Sequence, residues 1–292
     1  MKPAPFEYHA PDSLEQALEL FSQYNAEAKI LAGGQSLVPA MNFRVVQPSV
    51  LIDLNRVAEL SFIHEDGEII RVGAMARERH LEFDPSIAKR TPLLHEAVPF
   101  IAHPQIRNRG TIGGSLVHAD PAAELPVLMT ALNARLKARN TSGERWIDAQ
   151  EFFTGMFTTA LTADEILVEI ELPFMAARTG WSFMEVAPRV GDYAMMGIAA
   201  LVTLDENAKC KGARLVYLNA GEGPMDAKEA ARLLEGETLN DTLIIEAATI
   251  ASEKEINPFG NMHASTDFQR HLAKVLTQRA LKLAAQRATE RG

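Results

Sequence analysis

A chain of 292 residues with 47% hydrophobic and 23% charged residues has the composition of a folded globular protein, with room for roughly two domains of ~150 residues each. Its net charge of −9, from 29 basic and 38 acidic residues with no basic stripe, argues against a nucleic-acid partner, which needs clustered Lys and Arg against phosphate. The single cysteine, Cys210, excludes an internal disulfide and cannot by itself build a zinc or iron–sulfur site.

The absence of a disulfide framework points to a reducing compartment. Met1 to Tyr8 lacks the apolar core of a signal peptide. The longest apolar-rich run, Tyr193 to Leu204, falls short of the ~20 residues that span a bilayer. The expectation is a cytoplasmic protein with no membrane span.

The first predicted helix begins after Pro11-Asp12. Ser13 caps it, Gln16 completes a capping box, and Leu14, Ala17, Leu18 and Phe21 fall on one face. Lys29 to Ala32 reads as a buried strand broken by Gly33-Gly34. Val50 to Leu54 and Ile69 to Gly73 are further strand candidates, and Pro92 to Ile101 reads as a helix. Val127 to Ile147 is mixed and turns near Thr141-Ser142-Gly143. Ile166 to Pro173 alternates as a strand and stops at proline.

The composition becomes small and polar around Ala176 to Gly180, which places a domain boundary there. Beyond it, Ile198 to Leu204 and Ala213 to Leu218 read as strands around a turn at Asp205-Glu206-Asn207. Helices follow. One is capped by Asp226 and ends at Gly236, one runs from Leu243 to Ala251, and the last starts at Ser265 or Thr266. Phe268, Leu272, Val275, Leu276 and Leu283 share a face of that last helix. Strands followed by helices give an α+β unit.

The sharpest feature is a near-repeat. Ala32-Gly33-Gly34-Gln35-Ser36-Leu37-Val38 is echoed by Thr111-Ile112-Gly113-Gly114-Ser115-Leu116-Val117. Paired glycines permit positive φ and close backbone approach, and successive N–H groups can converge into an anion-binding nest. Two such loops face to face would hold a pyrophosphate from both sides. Nothing here matches the G-x-G-x-x-G nicotinamide fingerprint, a phosphate-binding P-loop or the G-x-S-x-G nucleophile elbow. His118 and Asp120 lack the companions that a metal site needs. Asp120 and Glu124 form a carboxylate pair that suits either loop capping or ligand contact. His103, Arg107, Asn108 and Arg109 lead into the second motif, as loop anchors or as a solvated charge cluster. Arg189 and Asp192 suit either an ion pair or a place at a ligand edge. Met195 and Met196 read as core filling.

The run from His103 to Pro126, together with Ala32 to Ser36 and Arg189-Val190-Gly191-Asp192-Tyr193, closely resembles the medium, FAD-binding subunit of molybdenum hydroxylases. That family includes carbon monoxide dehydrogenase, xanthine dehydrogenase and the quinoline- and nicotine-type hydroxylases. The resemblance implies an α+β protein. Residues 1–177 would form a two-lobed FAD-binding domain of the vanillyl-alcohol-oxidase/PCMH type, with lobes of about 1–55 and 56–177. Residues 178–292 would form a smaller α+β domain of the CO dehydrogenase flavoprotein type.

It also implies FAD on this chain and neither a catalytic residue nor a metal site of its own. The expected partners are a large molybdenum-cofactor subunit and a small subunit with two [2Fe–2S] clusters, in a dimer of heterotrimers that passes electrons to an external acceptor. Lys29, Ile30, Leu31, Ala32, Gly33, Gly34, Gln35 and Ser36 would form the first FAD loop, and Gly110, Thr111, Gly113, Gly114 and Ser115 the second. Asp120 and Glu124 would approach the ribityl hydroxyls, and Leu167 the adenine side. Ile101 and Ala102 would lie by the isoalloxazine, and Tyr193 over its ring. Two rival expectations stand beside this one. One is a stand-alone flavin oxidoreductase with its own small substrate, and the other is a scaffold whose glycine loops are only turns.

Overall fold

The computed structural model describes residues 1–291. Its first lobe is built on three short parallel strands, β1 (Glu7–His9), β2 (Ala28–Leu31) and β3 (Val50–Asp53), in the order β1-β3-β2. Parallel neighbours need crossovers, and two helices lie in the intervening chain, α1 (Leu14–Tyr24) and α2 (Leu37–Asn42). Ser13 caps α1 by accepting the Gln16 N–H at 3.3 Å. Gln16 accepts the N–H of Asp12, one residue before the cap, so the expected capping box is shifted by a residue. Leu14, Ala17 and Leu18 bury the inner face of α1.

The second lobe combines seven short helices with a five-stranded antiparallel sheet. β4 (Ile63–Asp66) and β5 (Ile69–Gly73) enter first. The first six helices are α3 (Glu78–Phe83), α4 (Pro85–Arg90), α5 (Pro92–Ala97), α6 (Pro104–Arg107), α7 (Ile112–His118) and α8 (Glu124–Ala131). Then come β6 (Arg135–Asn140), β7 (Gly143–Asp148), α9 (Ala149–Phe152), the small hairpin β8 (Phe153–Gly155) and β9 (Thr158–Thr159), and β10 (Ile166–Pro173). The sheet order is β4-β5-β10-β6-β7. β10 is central, and its alternation is visible in space. Ile170 and Leu172 are fully buried, while Glu169 pairs with Arg71 at 2.6 Å and Glu171 with Arg135 at 3.3 Å on the opposite face. The predicted helix from Pro92 to Ile101 is α5 continued as a 3-10 turn through Phe100.

The last part opens with an antiparallel sheet, β11 (Thr179–Val186), β12 (Met196–Leu204), β13 (Cys210–Leu218) and β14 (Met225–Asp226), in that order. It closes with α10 (Lys228–Leu234), α11 (Asp241–Ile250) and α12 (Thr266–Glu290). Asp226 does not cap α10. It belongs to β14 and pairs with Arg214 at 2.8 Å. The first-turn N–H groups of Glu229 and Ala230 are taken at 2.7 and 2.8 Å by the carboxylate of Glu255, which lies beyond α11. Tertiary packing thus supplies the cap that local sequence omits.

The buried seam of α12 also departs from expectation. Ala273, Ala280, Ala284 and Ala288 face the sheet with Leu276 and Leu281, while Phe268 is 43% exposed. Small residues win because the helix backbone lies directly on β11. A Cβ on Gly180 would collide with the carbonyl oxygen of Ala284 and the nitrogen of Ala288. Gly180→Val should therefore destabilise the chain by about 1–3 kcal/mol through overpacking and lower Tm by several degrees in thermal unfolding followed by circular dichroism. An unchanged Tm would contradict this packing.

Candidate functional site

The first glycine motif follows β2 directly and turns the chain into α2. Gly34 sits at φ +74°, a conformation that side-chain-bearing residues rarely adopt. Gln35 Nε2 donates to the Gly33 carbonyl at 3.0 Å, and the Val38 N–H closes the turn onto the Gly34 carbonyl at 3.1 Å. The N–H groups of Gly33, Gly34, Gln35 and Ser36 meet no acceptor among the described residues. Buried or half-buried donors without partners are costly, so this row is poised for an external acceptor. Lys29 is exposed, Ile30 packs toward α1, and the Ser36 hydroxyl caps nothing.

The second motif is not a loop. Gly113, Gly114 and Ser115 lie in the first turns of α7, capped by Thr111, whose Oγ1 accepts the Gly114 N–H at 3.1 Å. The N–H groups of Ile112 and Gly113 go to the carbonyls of Ala76 and Ala74 at 3.0 and 2.9 Å. A second nest of free donors is therefore not formed there. Gly113 is required for closeness, since a Cβ would sit 2.6 Å from the Ala74 Cβ.

The two motifs nonetheless touch. A Cβ on Gly33 would collide with the carbonyl oxygen of Arg109 and lie 2.8 Å from the Gly110 Cα. A Cβ on Gly114 would lie 3.4 Å from that of Ala32. Between the first motif and this second backbone opens a cavity of about 380 Å³, lined by Leu31 to Gln35, Val38, Pro39, Asp53, Asn55 and Arg109. It lies at the carboxyl ends of β2 and β3, where parallel sheets commonly place ligands. Asp53 and Asn55 were not singled out from sequence, although their position just past a strand end was the available signal. Around them runs a polar network. Tyr8 donates to Asp53 Oδ2 at 2.6 Å, Asn55 Nδ2 donates to the Ala32 carbonyl at 2.9 Å, and Arg77 Nη2 donates to Asn55 Oδ1 at 2.6 Å.

The remaining expected residues lie outside this cavity lining. Ile101 is buried and Ala102 adopts φ +42°. Arg107, only 5% exposed, fixes this corner by donating to the Ile101 carbonyl at 2.8 Å while pairing with Glu82 at 2.9 Å. It is a buried anchor, whereas Asn108 and Arg109 are exposed. The segment around Gly191 lies over this corner, since a Cβ there would collide with the His103 ring. Tyr193 in that segment is 71% exposed. Its phenol is raised above its ordinary value by loss of water on its inner side and by the carboxylates of Asp120 and Glu124. Asp120 Oδ1 accepts the Ala122 N–H at 2.9 Å, so it does cap its own loop. Arg189 and Asp192 share a turn, with the Asp192 N–H on the Arg189 carbonyl, and form no ion pair among the described residues. Leu167 is buried in the core beside a bulge in β10 and does not line the cavity.

Three carboxyls are shifted together, Glu78 at the start of α3, Glu124 at the start of α8 and Glu185 in β11. Burial and the nearby Glu124 push Glu78 up to about 8, and burial and Glu124 likewise push Glu185 up to about 8. Burial, with Asp120, pushes Glu124 up to about 7. Glu78 is 4% exposed and its Oε2 has no partner among the described residues. Glu78 and Glu185 carry no motif and were invisible in the sequence.

The sequence matches two family descriptions end to end. Residues 4–175 match the FAD binding domain in molybdopterin dehydrogenase, and residues 181–284 match the CO dehydrogenase flavoprotein C-terminal domain. The chain belongs to the family of FAD-binding medium subunits of molybdenum hydroxylases. Subunit alpha of the 6-hydroxypseudooxynicotine dehydrogenase complex of Paenarthrobacter nicotinovorans is 42% identical over 99% of this chain and 97% of its own. The solved carbon monoxide dehydrogenase of Hydrogenophaga pseudoflava is similar at TM-score 0.95 and 37% identity, over 98% of this chain and 99% of that one. Quinoline 2-oxidoreductase of Pseudomonas putida 86 is similar at TM-score 0.94 and 39% identity, over 99% of both chains.

The buried carboxyls carry a pH signature. Glu78 binds its proton more tightly folded, near 8, than unfolded, near 4.5, so the folded chain holds the extra proton between those values and stability falls as pH rises through that window. Glu78→Gln removes this penalty. Its Tm should match that of the parent near pH 5 and exceed it increasingly toward pH 8.5. Parallel Tm curves across that range would refute the assignment.

Proposed function

We propose that this chain carries electrons through FAD held between its two glycine motifs, and that the row of unpaired N–H groups from Gly33 to Ser36 receives the pyrophosphate. That row, facing a cavity whose floor is glycine backbone, is the observation that carries the reading. The donor set fits the group. Backbone N–H groups suit phosphate oxygens, Arg109 adds a cation at the cavity edge, and the side-chain-free backbone of Gly33 and Gly34 lines the cavity itself. Bound FAD supplies chemistry in both one- and two-electron steps, which suits a relay fed by one-electron centres.

The protein's part is to bind, orient and tune. Gly33, Gly34, Gln35 and Ser36 would donate to the pyrophosphate, while Gly110, Thr111, Gly113, Gly114 and Ser115 supply the opposing wall. Asp120 and Glu124 would stand toward the ribityl hydroxyls. Ile101 and Ala102, fixed by Arg107, would form the edge against the isoalloxazine, with Tyr193 above the ring. The proposed units are residues 1–177 for FAD and 178–292 as the domain seated against it. The relatives are named as medium chains or subunits of larger dehydrogenases. On that support we assign this chain a large partner with the molybdenum cofactor, where substrate is oxidised, and a small [2Fe–2S] partner. The assembly would be a cytoplasmic dimer of heterotrimers that delivers electrons to an external acceptor. No helix among the described residues is long and apolar enough to cross a membrane.

Purified full-length chain should show flavin absorption bands at close to one FAD per chain. Gly33→Ala must displace the Arg109 carbonyl and should weaken FAD binding by roughly tenfold or more, measured by titration of the apoprotein. A parent chain that is colourless and indifferent to added FAD would overturn the reading.

A further inference from the structure

The two motifs belong to different lobes, and one side chain spans both. Arg77 follows β5 in the second lobe. Its main chain is bridged to Thr111, with the Ile112 N–H on the Ala76 carbonyl and the Glu78 N–H on the Gly110 carbonyl. Its guanidinium donates through Nη1 to the carbonyl of Arg109, immediately before the second motif. Through Nη2 it donates at 2.6 Å to Asn55 Oδ1 of the first lobe. The same Asn55 amide donates at 2.9 Å to the carbonyl of Ala32, which opens the first motif. Asp53 Oδ1 holds Asn55 from behind, accepting its backbone N–H at 2.9 Å.

The carbonyl that Arg77 grips is also the one against which Gly33 rests. Steric contact there sets only a lower limit on how closely the motifs approach. The hydrogen-bonded path from Arg109 through Arg77 and Asn55 to Ala32 supplies the matching attraction. We propose that Arg77 and Asn55 form an inter-lobe clasp that positions the two glycine motifs for the dinucleotide. This rests on the reading of the site as an FAD site. Arg77 is a positioning residue, since its hydrogen bonds end on the Arg109 carbonyl and on Asn55, while Asn55 holds the Ala32 carbonyl and also lines the cavity. A planar guanidinium can serve two acceptors in fixed directions, and an ammonium on a flexible stem cannot hold that geometry.

The clasp is tested by a double-mutant cycle in the full chain, with Arg77→Met, Asn55→Ala and the pair. The readouts are the FAD Kd of each apoprotein, the visible circular dichroism of bound flavin and the apoprotein Tm. Each single change should weaken FAD binding roughly tenfold, the scale of one charge-assisted hydrogen bond, and alter the flavin circular dichroism. The double variant should be little worse than either single, because both cut the same link. Arg77→Lys should fail to restore affinity. Asn55 is exposed, so Asn55→Ala should lower Tm only slightly; non-additivity in the cycle, with Arg77→Lys standing in if Arg77→Met folds poorly, separates the clasp from direct contact of Asn55 with the ligand. Unchanged Kd in Asn55→Ala, losses that multiply in the double variant, or full rescue by Arg77→Lys would each overturn the clasp while leaving FAD binding intact. A parent chain that binds no FAD overturns the site and the clasp together.

Discussion

The closeness of two backbones at Gly33 governs the rest of this molecule. The first lobe is a small parallel sheet whose strands end at one edge, and the second is an antiparallel sheet covered by helices. Gly33 lets the turn after β2 rest on the Arg109–Gly110 backbone with no side chain between them. This contact turns two separate layers into a cleft with a defined width. It also keeps the turn's N–H groups from finding partners within the protein, because the opposing surface there offers one carbonyl and no run of acceptors. Glycine is needed at this place for the absence of a Cβ, and one residue later for a positive φ. The two neighbours therefore answer to different constraints.

Electrostatics near the cleft follow from the same compression. Helices α7 and α8 pack with little room, and Glu78, Glu124 and Glu185 lose water. Removing a carboxylate from water favours its neutral form, so these groups hold protons at pH values where exposed glutamates have lost them. The chain is acidic overall, at −9, yet the region beneath the second motif carries less negative charge than its composition states. Neutral acids in this region, with Arg109 at the cavity edge, lower the local negative potential, which favours an anionic ligand over what the composition alone implies. Arg107 plays a different part. Buried and paired with Glu82, it spends its charge on the corner at Ile101 and Ala102.

How much was legible in the sequence follows from how local each cause is. The strands β2, β3, β5 and β10 announce themselves because their apolar runs are bounded by glycine or proline within a few residues. The caps at Ser13 and Ser265 are equally local. The repeat of Gly-Gly before Ser pointed to two places that meet in the fold but gave them one shape, when the second is a helix start whose donors are already used. Nothing in seven residues distinguishes the two, since the difference lies in Ala74 and Ala76 approaching from β5. The cap of α10 failed in the same way, because Glu255 arrives from beyond the next helix. On α12, apolar bulk was weighed where closeness decided, and the alanine seam went unseen. Asn55, Arg77 and Glu78 have no motif around them and matter through partners tens of residues away.

The last part of the chain bears on the cleft through a single long element. Near its end, α12 is clamped to the second lobe, with Arg287 donating to Glu96 Oε2 at 2.7 Å while Trp181 Nε1 donates to the same oxygen at 3.1 Å. At its start, Gln269 donates at 2.9 Å to the carbonyl of Met195, and Asn219 donates at 2.7 Å to that of Ala194. These bonds fix the C-terminal foot of the segment that carries Tyr193 and lies over Ala102 and His103. One helix therefore references that segment to the second lobe, more than a dozen residues from the clamp at Glu96. The foot is hydrogen-bonded on both carbonyls, while the crest at Val190 and Tyr193 is exposed. Tyr193 is therefore placed by the backbone bonds of its neighbours while its ring stays open to solvent.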